Sequence, residues 1–128
     1  MKRPGRSKTI LVVDDDPDIL LMLQALLEDE GYQVRVAKSG SLVDRLPTLD
    51  LPDLIVLDML MSGSDGRDIA RRLKQQQETQ RIPILMLSAH PSAEQEARAA
   101  GADDFLAKPF ELEVLLTKVM QALEYQAQ

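Results

Sequence analysis

Charged side chains stand directly after three short apolar runs of the sequence. An acidic triplet at 14–16 follows the run ILVV, Asp58 follows LIVL, and Lys108 follows FLA. An apolar run that ends in a charge is typical of a buried parallel strand with a functional group at its carboxyl end. Because the carboxyl ends of parallel strands share one edge of a sheet, we expect these carboxylates and the ammonium to meet there. Such a group could hold a hard divalent cation and handle a phosphoryl group.

The elements that must position these residues alternate between strand and helix patterns. We expect strands at residues 9–13, 34–37, 53–57, 84–87 and 104–107. We expect a helix after each strand. The first runs from its cap Asp16 and Pro17 to Gly31, and the second covers 41–46 before Pro47. The third passes through 69 to about 77, the fourth runs from a Ser92 cap to Gly101, and the fifth begins at 112. Five such units predict an α/β fold, a doubly wound parallel sheet with helices on both faces.

The first and fourth predicted helices differ in the size of their apolar side chains. In the first, Ile19, Leu23, Leu26 and Leu27 fall on one predicted apolar face. The fourth is rich in alanine, and small side chains bury little area against a sheet. We therefore expect the fourth helix to be a mobile element.

Composition indicates a single domain with a basic leader. The chain has 128 residues and no cysteine, so disulfides and thiolate metal sites are excluded. Four of its 15 basic residues lie at positions 1–8, which leaves 11 basic against 21 acidic residues, a charge of −10, from residue 9 onward. So acidic a domain is a poor nucleic-acid surface. We expect a flexible tail at 1–8, a domain at 9–125, a short tail at 126–128, no membrane span and a cytoplasmic location.

The motifs at the strand ends carry a family resemblance. Over essentially residues 8–125 the chain resembles the receiver domains of two-component response regulators. The ordered set that carries the resemblance is Asp14-Asp15, Asp58, Asp65-Gly66, Ser88-Ala89 and Lys108-Pro109. The resemblance implies a flavodoxin-like sheet of strand order 2-1-3-4-5.

The resemblance also implies a phosphoryl-accepting site that depends on Mg²⁺. Asp58 would be the phosphoacceptor, taking its phosphoryl group from the phosphohistidine of a sensor histidine kinase or histidine phosphotransfer protein. Asp15 would bind Mg²⁺ directly and Asp14 through water, and the backbone carbonyl of Leu60 would complete the metal shell with Asp58. Asp16 is better explained as a helix cap than as a metal ligand.

The resemblance also implies roles in binding the phosphoryl oxygens and in the conformational change that follows phosphorylation. Lys108 would pair with the phosphoryl group, with a cis peptide to Pro109, and Ser88 would donate its hydroxyl. Phe105 occupies the position of the switch aromatic. Its movement would change the face made by the fourth helix, the fifth strand and the fifth helix, through which the domain would meet a downstream protein or output domain.

Departures from the family pattern lie in the loops. After Met61 the family commonly has a proline, and this chain has Ser62 instead. The absence of proline makes that loop more flexible. Leu60, two residues after the acceptor, is apolar, and His90 follows Ser88 by two. We expect His90 to be a surface loop residue, and we expect the side chains of Leu60 and His90 to flank the approach of a hydrolytic water.

Parts of this pattern also fit two other functional classes. Asp14 and Asp16 have the two-residue spacing of haloacid-dehalogenase-like phosphatases, but the chain lacks an insertion large enough for their cap. A receiver that acts only as an interaction module is disfavoured by the presence of Asp58 and Lys108. The sequence favours a signalling domain with at most slow self-dephosphorylation, and it leaves open a homodimer. It also leaves open whether the receiver stands alone or belongs to a longer transcriptional regulator or hybrid kinase.

Overall fold

The computed structural model describes residues 8–44, 46 and 50–127. Its main sheet has five parallel strands in the order β2-β1-β3-β4-β5. Their bounds are Thr9–Val13 (β1), Gln33–Ala37 (β2), Leu54–Asp58 (β3), Ile84–Ser88 (β4) and Asp104–Ala107 (β5). The predicted fold class and strand order are confirmed. Every predicted strand is present, with ends that differ by at most one residue.

Five α-helices alternate with these strands. Their bounds are Pro17–Asp29 (α1), Gly40–Asp44 (α2), Gly66–Gln75 (α3), Glu94–Ala99 (α4) and Leu112–Ala127 (α5). The predicted start of α1 is confirmed, because the Asp16 side chain accepts the backbone N–H of Asp18 at 2.9 Å and Pro17 is the first helical residue. α1 buries Leu20, Leu23 and Leu27, whereas Ile19 and Leu26 are half-buried.

The helices cover the two faces of the sheet with different side chains. Alternate strand residues face a leucine-rich layer from α1 and α5, which includes Leu23, Leu27 and Leu115. The other strand residues face α2, α3 and α4, and α4 with its entry turn contributes only small side chains: Ala93, Ala97 and Ala100. Less apolar area therefore holds α4 than holds α1 or α5.

The entry to α4 differs from its predicted form. A 3₁₀ turn at Pro91–Ala93 leads into the helix, and neither the turn nor α4 has a side-chain cap. The prediction that Ser92 caps this helix is wrong, because Ser92 lies inside the 3₁₀ turn rather than before its first residue. Gly101 follows the helix with φ of +114°, a left-handed conformation that ends helices at little cost for glycine.

A two-stranded antiparallel hairpin that the sequence did not reveal lies between β3 and α3. It pairs Leu60–Met61 with Ser64–Asp65, and we call it the acceptor-side hairpin. Gly66 follows it, donates its N–H to the carbonyl of Met59 at 2.6 Å, and has no room for a Cβ against the Asp58 carbonyl. The glycine is thus required by close approach of two backbone segments.

The predictions about the N-terminal leader and about Pro47 concern residues outside the described part. At the other end, α5 includes residues 126 and 127, which the sequence assigned to a C-terminal tail. Among the described helices, none combines the length and hydropathy needed to cross a membrane.

Candidate phosphoryl-acceptor site

The parallel register brings the polar strand ends to one level. Asp58 is the last residue of β3 and is paired with Leu87 of β4, and Ser88 is paired with the last residue of β5. Asp14 follows β1 directly and donates its N–H to the carbonyl of Ala37 on β2. The sequence prediction that these residues meet at one sheet edge is therefore reproduced by the register.

Lys108 joins two buried carboxylates at this edge. Its Nζ lies 2.9 Å from Oδ2 of Asp14 and 3.0 Å from Oδ1 of Asp58. Asp14 is 1% exposed and Asp58 is 6% exposed. The peptide bond between Lys108 and Pro109 is cis. The two distances place the ammonium against both acids.

Burial and charge act in opposite directions on this trio. Burial raises the pKa of Asp58 above its ordinary value, and the nearby carboxylates of Asp14 and Asp15 add to the rise. The hydrogen bond from Lys108 opposes it without cancelling it. For Lys108, burial lowers the pKa, but hydrogen bonds to Asp14 and Asp58 outweigh burial and the net pKa is raised. The lysine therefore stays charged at neutral pH.

Three carboxylates are placed to receive a cation. Asp14, Asp15 and Asp58 each offer an oxygen, and these oxygens lie within 4.8 Å of one another. Oδ2 of Asp15 accepts the N–H of Ser62 at 2.7 Å, and Oδ1 of Asp14 accepts the N–H of Asp16 at 3.0 Å. A cluster of carboxylate oxygens that keeps room for water suits Mg²⁺, since Mg²⁺ takes one or two carboxylates and retains several waters. The residues present therefore fit the ion that the sequence implies.

A cleft of about 320 Å³ opens over these groups. Its lining is Asp14, Asp15, Asp16, Asp58, Leu60, Ser88, Ala89, His90 and Lys108. Leu60 stands at the rim with 52% of its surface exposed, and His90 is exposed as well. Ser88 is 2% exposed, and its Oγ accepts the N–H of His90 at 3.0 Å. The cleft thus has a polar floor and a partly apolar rim.

Asp16 lines the cleft but also caps a helix, and Phe105 is absent from the cleft lining. Asp16 reaches the cleft, but its carboxylate caps α1. Phe105 is 7% exposed and lies in the buried cluster that includes Ala97 and Ala100. Phe105 is thus a neighbour of the α4 layer and not a lining residue.

A salt-bridge network beside the cleft was missed from the sequence. Asp65 caps α3 by accepting the N–H of Arg67 at 2.9 Å, and the Arg67 guanidinium binds both Asp65 oxygens, at 3.0 and 2.7 Å. Hydrogen bonds from the Arg67 side chain lower the pKa of Asp65 below its ordinary value. Nη1 of Arg67 also contacts Oε1 of Glu96 on α4 at 3.2 Å. The short spacing of Asp65 and Arg67 was a usable signal, but the distance of Glu96 along the chain gave none.

The fold and the site together define a doubly wound α/β domain with an acidic, lysine-bearing cleft at the carboxyl edge of its sheet. The chain belongs to the response regulator receiver domain family, whose model matches residues 10–120. The sequence resemblance is thereby confirmed, and the phosphatase alternative is not supported.

Known proteins from several settings are similar to this chain. The phosphate regulon transcriptional regulatory protein PhoB of Rhizobium meliloti (strain 1021) is 37% identical over 89% of this chain and 51% of its own length. The signal receiver domain of a signal transduction histidine kinase from Syntrophus aciditrophicus is 35% identical, with a TM-score of 0.84, over 92% of this chain and 91% of that one. Chemotaxis response regulator CheY4 of Vibrio cholerae is 32% identical, with a TM-score of 0.82, over 92% of this chain and 100% of that one. The chain spans about half the length of the curated relatives it matches.

Proposed function

We propose that this receiver domain accepts a phosphoryl group on Asp58 from the phosphohistidine of a sensor histidine kinase or histidine phosphotransfer protein. The supporting observation is the Asp58 carboxylate at the floor of the acidic cleft, 3.0 Å from the Lys108 ammonium. An Asp58 oxygen forms a bond to phosphorus while the P–N bond of the phosphohistidine breaks. The electron pair of that bond returns to the imidazole nitrogen.

The carboxylates around Asp58 hold the metal in this proposal. Asp15 would bind Mg²⁺ directly, Asp14 would act through water, and Asp58 and the backbone carbonyl of Leu60 would complete the set. When bound, Mg²⁺ supplies positive charge that offsets the negative charge on the phosphoryl oxygens. The mutual closeness of the three carboxylates supports this assignment, because the single positive charge of Lys108 offsets only part of their repulsion and a divalent cation would offset the rest.

Lys108 and Ser88 bind the phosphoryl oxygens. Lys108 keeps its contact with Asp14 and exchanges part of its contact with Asp58 for a phosphoryl oxygen. The Ser88 Oγ already accepts the His90 N–H, so its own proton can be donated into the cleft. Movement of Ser88 toward the phosphoryl group gives Phe105 room to turn.

The signal leaves through the face formed by α4, β5 and α5. Asp104 on β5 is the common partner of Arg98 on α4, at 3.2 Å, and Lys118 on α5, at 3.2 Å. A change in the position of α4 therefore alters charges across the whole face. We propose that a downstream protein or a linked output domain reads this face, which is also the candidate surface for a homodimer.

The setting of the domain follows from its relatives and is part of the proposal. Similar receivers occur in a transcriptional regulator, in a histidine kinase and in a chemotaxis regulator. This domain serves as the receiving unit of such a pathway in the cytoplasm. It is not a metabolic enzyme, and it hydrolyses its own acyl phosphate slowly.

Labelling with a small-molecule donor tests the proposal. Incubation with acetyl phosphate or phosphoramidate and Mg²⁺ is expected to add one phosphoryl group, seen in the intact mass. Asp58→Asn is expected to remove the label. Asp16→Asn is the matched control, because asparagine also caps helices and Asp16 lies in the same cleft. Equal labelling of wild type and Asp58→Asn would overturn the assignment.

A further inference from the structure

The attachment of α4 to the rest of the domain depends strongly on ion pairs. The helix has six residues, no side-chain cap and an apolar face made only of alanines in the described cluster. Helices this short are unstable unless tertiary contacts hold them. Arg98 holds the carboxyl end of α4, with Nη1 on the Asp103 carbonyl at 3.0 Å and Nη2 on Asp104. The Arg67–Glu96 pair holds its amino-terminal half.

Arg67 is prepared for this contact by its other partner. Its Nε and Nη2 form a two-pronged pair with the Asp65 carboxylate, which fixes the plane of the guanidinium. The Arg67 side chain is 28% exposed, against 65% for Glu96. Because the guanidinium is already fixed, less side-chain entropy is lost when it binds Glu96 than in an ordinary surface pair.

The same arginine touches the segment that follows the acceptor. Asp65 ends the acceptor-side hairpin, pairs with Leu60 in its register and caps α3. A single side chain therefore joins the hairpin after Asp58 to α4. This connection is separate from the one through Ser88 and His90, which reaches the turn at the start of the helix.

We propose that Arg67 is a latch that holds α4 in its unmodified position by joining Asp65 to Glu96, and so opposes the displacement of α4 when Asp58 is modified. The coupling part of the proposal rests on the proposed function. The latch contact stabilises the position that α4 has in the unmodified protein. It therefore lowers the affinity of the Asp58 site for any group whose binding requires α4 to be displaced. Loss of the latch therefore loosens α4 and tightens binding at Asp58.

Amide hydrogen exchange of residues 94–102 in the unmodified protein tests the latch itself. Arg67→Gln and Glu96→Gln are each expected to speed exchange about two- to fivefold, with no further gain in the double variant. Arg71→Gln is the matched control, because Arg71 lies on the same helix and pairs with Asp68 of that helix at 2.9 Å. Wild-type exchange in Glu96→Gln, or the same acceleration in Arg71→Gln, would overturn the latch.

Binding of beryllofluoride with Mg²⁺, a mimic of the phosphoryl group, tests the coupling. Glu96→Gln leaves the Asp65–Arg67 pair and the cleft intact, and it is expected to lower Kd about two- to fivefold relative to wild type in an NMR titration. Equal affinity in wild type and Glu96→Gln would overturn the coupling. A wild type that does not bind beryllofluoride would instead contradict the proposed function and the coupling with it, while the exchange rates would still decide whether Arg67 holds α4.

Discussion

Lys108 Nζ lies 3.0 Å from Oδ1 of Asp58, yet the pKa of Asp58 remains raised because burial outweighs this contact. A carboxyl whose pKa is higher in the folded than in the unfolded state binds its proton more readily when folded. The folded state therefore loses stability as pH rises from the ordinary pKa through the raised pKa, and the loss is complete once the carboxyl is ionised. The Asp58 carboxylate is thus a source of instability in the metal-free protein.

Replacement of this carboxylate is expected to stabilise the metal-free protein. At pH 7 Asp58→Asn should melt a few degrees above wild type, because the amide has no charge to bury and Lys108 keeps Asp14 as partner. The difference should shrink as the pH is lowered toward about 4, because the raised pKa makes the wild-type carboxyl take up its proton more readily than an exposed aspartate does. Thermal melts followed by circular dichroism at both pH values measure it. A variant that melts below wild type at pH 7 would show that the Lys108 contact, and not burial, dominates.

Magnesium is expected to stabilise the folded domain through the same carboxylates. At a concentration 100 times its Kd, a ligand that binds only the folded state adds about 2.7 kcal/mol. Asp15→Asn should lose most of this gain while it can still accept the Ser62 N–H. Lys108→Ala should retain magnesium binding, since it removes a positive charge from the cluster. Thermal shifts across a Mg²⁺ titration check this, and an unchanged response in Asp15→Asn would remove Asp15 from the metal site.

The exposed side chain of Leu60 is expected to lengthen the life of the acyl phosphate. It stands at the rim of the cleft and cannot orient a water by hydrogen bonding. Leu60→Asn should speed hydrolysis about tenfold, roughly 1.4 kcal/mol of barrier, with little change in stability. Loss of label from phosphorylated protein with time gives the rate. His90→Ala, alone and combined with Leu60→Asn, shows whether the imidazole contributes, and equal rates for wild type and Leu60→Asn would show that the leucine does not shield phosphorus.

Ser88 is expected to carry part of the response from the cleft to the α4 layer. Beryllofluoride with Mg²⁺ should shift amide resonances across residues 88–110 in wild type, because Phe105 packs in the same cluster as Ala97 and Ala100. In Ser88→Ala the shifts beyond residue 90 should fall, while those near Asp58 remain. Shifts confined to the neighbours of Asp14, Asp15 and Asp58 in the wild type would indicate a site without conformational output.

The strands and the floor of the cleft could be predicted because each depends on a local pattern. β1, β3 and β4 each contain an apolar run of four residues that a charged or polar residue follows, and such runs are typical of strands buried on both faces. Once the strands are parallel, their ends must share an edge. Asp14, Asp58 and Lys108 therefore meet for reasons contained in the sequence.

The features that were missed depend on contacts between distant segments. The acceptor-side hairpin has strands of two residues, too short to show a period. Leu20 is 4% exposed but does not belong to the predicted apolar face of α1, because the buried face of the helix is wider than the predicted one. The prediction that Ser92 caps α4 was wrong because the 3₁₀ turn already begins at Pro91. Arg67 and Glu96 belong to different helices, and their pairing becomes visible only when α3 and α4 are placed side by side.

α1 and α5 bury larger side chains against the sheet than α4 does, so different parts of the domain resist displacement to different degrees. Leucines anchor α1 and α5 behind the sheet, whereas α4 rests on alanines in front of it. The leucine-backed half gives the acidic cleft a rigid support, so the geometry of Asp14 and Asp58 survives a change elsewhere. α4, whose buried side chains are alanines, can be displaced with little loss of buried apolar area, whereas Ile69 and Leu73 hold α3 on the same face. A binding partner that contacts α4 thus needs only a small part of its own binding energy to move this helix, and among the described helices a protease should cut α4 and its entry turn first.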